Sequence, residues 1–166
     1  MANYRTDFAS LQDFKKGGVT IIDDEAAKYV FSNIFEVASK AKPYDRTAVA
    51  KNFEYVIESV RAEGVSPWYS AAHDEFVLSM DGQVRVDLVK LANADAVVDP
   101  ESEGAHKLSA DPEGAKMGYV ILRRGHMAML PVGAAYRFSA STACTLLIQT
   151  MDGPETLHKW AEICLR

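Results

Sequence analysis

The stretch from Trp68 to Leu91, WYSAAHDEFVLSMDGQVRVDLVKL, constrains the fold more than any other part of the chain. Phe76, Val77, Leu78 and Met80 supply an apolar run, and Asp81-Gly82 is a turn dipeptide. Val84, Val86 and Leu88 then alternate with Arg85, Asp87 and Lys90, which is the period of a half-buried strand. Glycine accepts positive φ at no steric cost in such a turn. The segment therefore reads as two β-strands joined by a tight turn. The pattern returns downstream: strands over 118–123 and 126–130 flank Arg124-Gly125, and a Pro131-Val132-Gly133 turn follows. Tyr136, Phe138 and Ala140 then share one strand face, and 145–150 is a last apolar strand.

Glu75 precedes Gly82 by seven positions, a spacing that resembles the first motif of the cupin superfamily. Gly125, Pro131 and Gly133, followed by Tyr136 to Ala140, resemble the second. The resemblance implies a mainly β fold, a cupin-type jelly-roll barrel. It also implies where a metal would sit. Cupins that bind one use two histidines before the motif-one glutamate and one histidine in motif two. Imidazoles with a carboxylate suit a divalent transition metal. Here the first pair of positions falls on Tyr69 and Ala71, or on Trp68 and Ser70 if the gap is one longer, and the motif-two position is Tyr136. Glu75 alone of the four remains, a vestigial metal position, so the barrel is expected to hold no metal of its own.

Trp68 and Tyr69 then lie near the barrel mouth. Either an indole or phenol there stacks on or hydrogen-bonds an aromatic ligand, or the ring plugs space that a metal site would have used. His73 and Glu75 share a strand face, but two donors fall short of the three that zinc-type sites show. A carboxylate in that position more often meets a cation, with Arg85, Arg123, Arg124 and Arg137 as candidates.

Ahead of the barrel, Asp23 or Asp24 can cap a helix. Ala27, Val30, Phe31, Ile34, Val37, Ala38 and Ala41 recur at helical spacing until Pro43. A second helix, with Val49, Phe53, Val56, Ile57 and Val60 on one face, closes at Glu63-Gly64. Residues 1–64 are thus expected to form an arm and a helical hairpin, and 65–166 a β-barrel with a C-terminal helix entered at Pro154, all in one compact domain. Residues 92–117 read as one long irregular stretch, of the kind that is functional or disordered.

With 166 residues, 48% of them hydrophobic, the chain can bury a core. A net charge of -5 provides no basic stripe for nucleic acid. No apolar run approaches the ~20 residues that span a bilayer, and the first residues lack the apolar core of a secretory signal. Cys144 and Cys164 fit reduced thiols of a cytoplasmic protein.

Length, the helical lead-in, the SPWY…HDEFVLSMDG segment and the ligand-poor second motif resemble the small subunit of two-component hydroquinone 1,2-dioxygenases. That resemblance implies a larger cupin-type partner carrying Fe(II), in an α2β2 heterotetramer that opens hydroquinone with O2 to 4-hydroxymuconic semialdehyde. No catalytic residue is expected in this chain. Trp68 is the residue expected to reach the substrate, with Tyr69 and Tyr136 as further contacts. Two other readings stand beside it: a self-sufficient metal-free isomerase or epimerase using Glu75 with His73 or Tyr136, and a non-catalytic ligand-binding cupin.

Overall fold

A computed structural model of the chain describes residues 9–13 and 33–159. The architecture is mainly β, a jelly roll closed almost into a barrel. One helix precedes the strands: α1, Ile34–Lys40, is capped by Asn33, whose side chain accepts from the backbone N–H groups of Phe35 and Glu36. Ten strands follow: β1 Arg46–Asn52, β2 Tyr55–Val65, β3 Tyr69–Ala71, β4 Glu75–Ser79, β5 Val84–Leu91, β6 Ala105–Lys107, β7 Gly114–Leu122, β8 Met127–Leu130, β9 Ala134–Met151 and β10 Thr156–Leu157.

The fold turns on β9, which serves two layers. Its first half lies between β3 and β5, and its second half between β2 and β4. One layer therefore runs β6-β3-β9-β5-β7 and the other β10-β1-β2-β9-β4-β8. All pairings are antiparallel except that of β1 with β10. The core between the layers contains Val60, Val77, Val84, Val86, Leu130, Tyr136, Phe138, Leu146 and Ile148, with Cys144 among them as a buried free thiol. Cys164 lies outside the described residues.

The barrel strands stand where the periodicity placed them, but several expectations need correction. The stretch read as a second helix is the β1–β2 hairpin. In β2, Val56, Glu58, Val60 and Ala62 are buried in alternation, so that a glutamate takes an inward place, and Ser59 is buried on the other side, where its hydroxyl donates to the Ile34 carbonyl. A charged residue at a core position made the strand's period look broken, while Val56 and Val60, four apart, imitated a helix face. Gly64, read as a helix end, sits at φ 74 next to a bulge in β2. Of the first helix, 34–40 is present and 25–32 lies outside the described residues.

Asp81-Gly82 does join two strands, yet β4 and β5 are not hydrogen-bonded to each other; the turn carries the chain from one layer to the other. Gly82 is needed for closeness rather than for positive φ: a Cβ there would lie 2.2 Å from the Cβ of Cys144. The stretch 92–117 is less irregular than its composition implied, since it contains β6 and the start of β7. Near the other end, Thr156–Leu157 pair with β1 where helix was expected, and the remainder of that helix lies outside the described residues. Among the described residues, no helix is long and apolar enough to cross a membrane.

Candidate functional site: an ion-paired barrel interior and an aromatic outer row

The register of β3 on β9 places Tyr69 opposite Tyr136. β9 on β5 places Tyr136 opposite Leu88 and Arg137 opposite Asp87. Because neighbouring strand residues face opposite sides, Tyr69 and Tyr136 point into the barrel, while Trp68 and Arg137 lie on the outside. The two tyrosine rings stack with centroids 5.9 Å apart, and both residues are buried.

Beneath them lies the feature that sequence reasoning missed. Arg46, on β1, is 3% exposed and reaches three partners. Its Nε donates to Glu58 Oε2 at 2.5 Å, one terminal nitrogen donates to Tyr136 Oη at 2.8 Å, and the other to Glu75 Oε1 at 2.8 Å. The Tyr136 hydroxyl donates in turn to Glu75 Oε2 at 2.5 Å, and the Thr156 hydroxyl donates to Glu58 Oε1 at 2.7 Å. The guanidinium also lies 5.7 Å from the Tyr69 ring centroid. All four carboxylate oxygens thus take a donor. Such satisfaction is what lets buried charges persist, because an unpaired one is prohibitively costly in an apolar interior.

Burial alone would lower the Arg46 pKa, but the carboxylates of Glu58 and Glu75 outweigh it and hold the guanidinium protonated. Tyr136 is held well above the ordinary phenol range, first by burial and then by the Glu75 carboxylate, so it stays a donor. Burial likewise pushes Tyr69 up to about 12, against the pull of Arg46.

Glu75 therefore meets a cation, as expected, but the cation is Arg46 rather than Arg85, Arg123, Arg124 or Arg137. The misread β1–β2 hairpin hid it. His73 does not join Glu75: its Nε2 lies 3.1 Å from Thr150 Oγ1. With Tyr69, Ala71, Tyr136 and a neutralised Glu75 at the four cupin positions, the residues do not fit a metal. Among the described residues no three His, Cys, Asp or Glu side chains converge on one point.

The outer row is built differently. Trp68 is partly exposed. Its indole N–H donates to Asp111 Oδ1 at 3.0 Å, and the Arg137 guanidinium lies 4.5 Å from its ring centroid. Arg137 pairs with Asp87 at 3.7 Å, Asp87 pairs with Arg85 at 2.6 Å, and Arg85 lies 3.9 Å over the Tyr119 ring.

The fold and interior define a cupin-type barrel whose charge centre is an arginine held by two glutamates. No family model and no curated protein matches the chain, but solved structures do. A chain of the hydroquinone 1,2-dioxygenase of Sphingomonas sp. TTNP3, solved with 4-hydroxybenzoate, is 62% identical over 98% of both chains, with a TM-score of 0.89. A chain of hydroquinone 1,2-dioxygenase PnpCD, solved with Cd2+ and 4-hydroxybenzonitrile, is 51% identical over 100% of this chain and 99% of that one, with a TM-score of 0.87. A longer chain of PnpCD, from a complex with Fe3+, shares the fold at 11% identity and a TM-score of 0.59, and this chain covers 42% of it. The chain belongs to the hydroquinone 1,2-dioxygenases of the cupin superfamily, as a non-catalytic subunit with no metal centre among its described residues.

Proposed function

We propose that this chain is the small subunit of a heteromeric Fe(II)-dependent dioxygenase, of α2β2 composition, that converts hydroquinone to 4-hydroxymuconic semialdehyde. The iron sits in the larger cupin-type partner and supplies O2 activation there. The reaction needs no outside reductant: the ring bond beside one hydroxyl breaks, and both atoms of O2 end in the product. This chain's own part is to exclude water and present a ring-binding wall across the subunit boundary. Trp68, on the outside of the barrel, is the substrate contact. Tyr69 and Tyr136 act at one remove, from inside the barrel.

One observation carries this reading: the motif-one glutamate is tied to Arg46 and Tyr136 in a chain that aligns end to end with a hydroquinone 1,2-dioxygenase chain. The rival acid–base reading requires a reachable Glu75, whereas Glu75 is fully buried and His73 is turned to Thr150. Co-purification of the tagged chain with untagged neighbours, followed by turnover of hydroquinone, tests the proposal. A larger iron-bearing chain is expected to accompany it, with ring cleavage only in the complex. Cleavage by the isolated chain would overturn it.

A further inference from the structure

Asp111 belongs to the stretch that composition marked as irregular, and the fold shows why it returns to Trp68. β6 pairs with β3, the Leu108 N–H donates to the Trp68 carbonyl at 2.8 Å, and three residues later Asp111 meets the indole. Residues 92–97 and 107–113 enclose a surface cleft of about 510 Å³, and Asp111 stands on its lining. On the other side, Arg137 comes from β9, directly across from Trp68 on the outer face. The Arg137 Nε is buried without a hydrogen-bond partner among the described residues, so the stack on the indole and the Asp87 pair hold the guanidinium in place.

We infer that Asp111 and Arg137 are positioning residues that set the Trp68 indole as a stacking surface for the aromatic substrate, and that this surface selects rings by their π face. The inference deepens the proposed pocket role of Trp68 and rests on it. Two physical consequences follow from the geometry. The indole N–H is already committed to Asp111, so Trp68 offers a substrate no donor, only a face. A cation on one side of that ring draws its π density toward itself, which favours an electron-rich ring, such as a diphenol, on the other side. Arginine suits the role better than lysine because its planar group stacks as well as carrying charge.

The test uses the assembled enzyme with hydroquinone as probe, in single and double variants. Asp111→Ala and Arg137→Gln are each expected to raise KM about three- to tenfold, the range of one aromatic stacking contact. In both, kcat stays near its original value and the larger chain still co-purifies. Asp111→Asn, which keeps the accepting oxygen, restores KM; Arg137→Lys does so only in part. In a Trp68→Ala background neither change adds a further loss, since both act through the indole. An unchanged KM in Trp68→Ala overturns the pocket role itself. A raised KM in Trp68→Ala with unchanged KM in Asp111→Ala and Arg137→Gln overturns the positioning role alone. Equal losses with and without the indole also overturn it, by showing that the two residues act elsewhere.

Discussion

The two faces of the β3–β9 strand pair carry the same chemistry in opposite settings. Inside, one arginine is enclosed by two glutamates and flanked by two tyrosines, with every carboxylate oxygen bonded. Outside, two arginines lie on aromatic rings and share a single aspartate, with solvent reaching them. The same residue types therefore do different work. The inner set is matched charge for charge in the core, where a missing partner is costly. The outer set lies at the surface, where water screens its charges. Burial, rather than composition, makes the difference: charges out of water must be matched one by one, while exposed pairs are screened and worth little.

The largest effect that can break this comparison lies at Arg46. Arg46→Met leaves Glu58 and Glu75 facing each other without a cation, and a loss of roughly 3–5 kcal/mol is expected. Thermal melting of the assembled protein, or the yield of soluble small subunit, reads it. Replacing Glu58 and Glu75 by leucine in the same variant should recover much of the loss. If the single variant melts like the parent, the inner set is not the matched centre described here.

Next in size is Gly82→Ala. The added Cβ meets the Cβ of Cys144, and overpacking of this kind costs about 1–3 kcal/mol. Cys144→Ala should give no relief, because it keeps the clashing carbon, whereas Cys144→Gly should. Comparison of melting temperatures across the three variants decides it.

An alkaline titration probes the interior without mutation. Tyr69 and Cys144 are both pushed up to about 12, chiefly by burial, with Asp81 adding to the shift of the thiol. Their folded pKa values exceed those of the unfolded chain, so they contribute stability that is fully present below about pH 8.5, the ordinary thiol value. That contribution declines as pH rises from there toward about 12. Melting temperature should accordingly be flat near neutrality and fall progressively above pH 9. Stability that rose over this range would contradict the assignment.

The smallest effect is expected outside, at the far end of the row. Arg85→Ala removes an exposed contact with Asp87 and Tyr119, and melting should change by no more than about 2 °C. A larger drop would show that the outer row bears structural weight like the inner one.

What could be read from the chain divides along the same line. The barrel strands were legible because their buried positions are apolar, as at Val84 and Val86, and because Gly125 and Gly133 sit at positive φ in the turns where they were placed. That no histidine stands at the three imidazole positions of a cupin site was legible in Tyr136 and in the side chains before Glu75. Arg46 and Glu58 were not, because a core position filled by a charge looks like a surface position in sequence. One such residue was enough to turn the β1–β2 hairpin into an apparent helix. The strand signal was still there, in the β-branched residues of 55–60 and in the alternation of Val56, Val60 and Ala62 around Glu58. Asp111 was equally hidden, since its link to Trp68 depends on the pairing of β6 with β3.

Crystals of the intact complex, measured above and below the iron absorption edge, put the central claim to its most direct test. An arginine-filled barrel predicts an anomalous peak within the larger chain and none inside this one. A peak between Glu58, Glu75 and Tyr136, with the Arg46 side chain displaced, would contradict it.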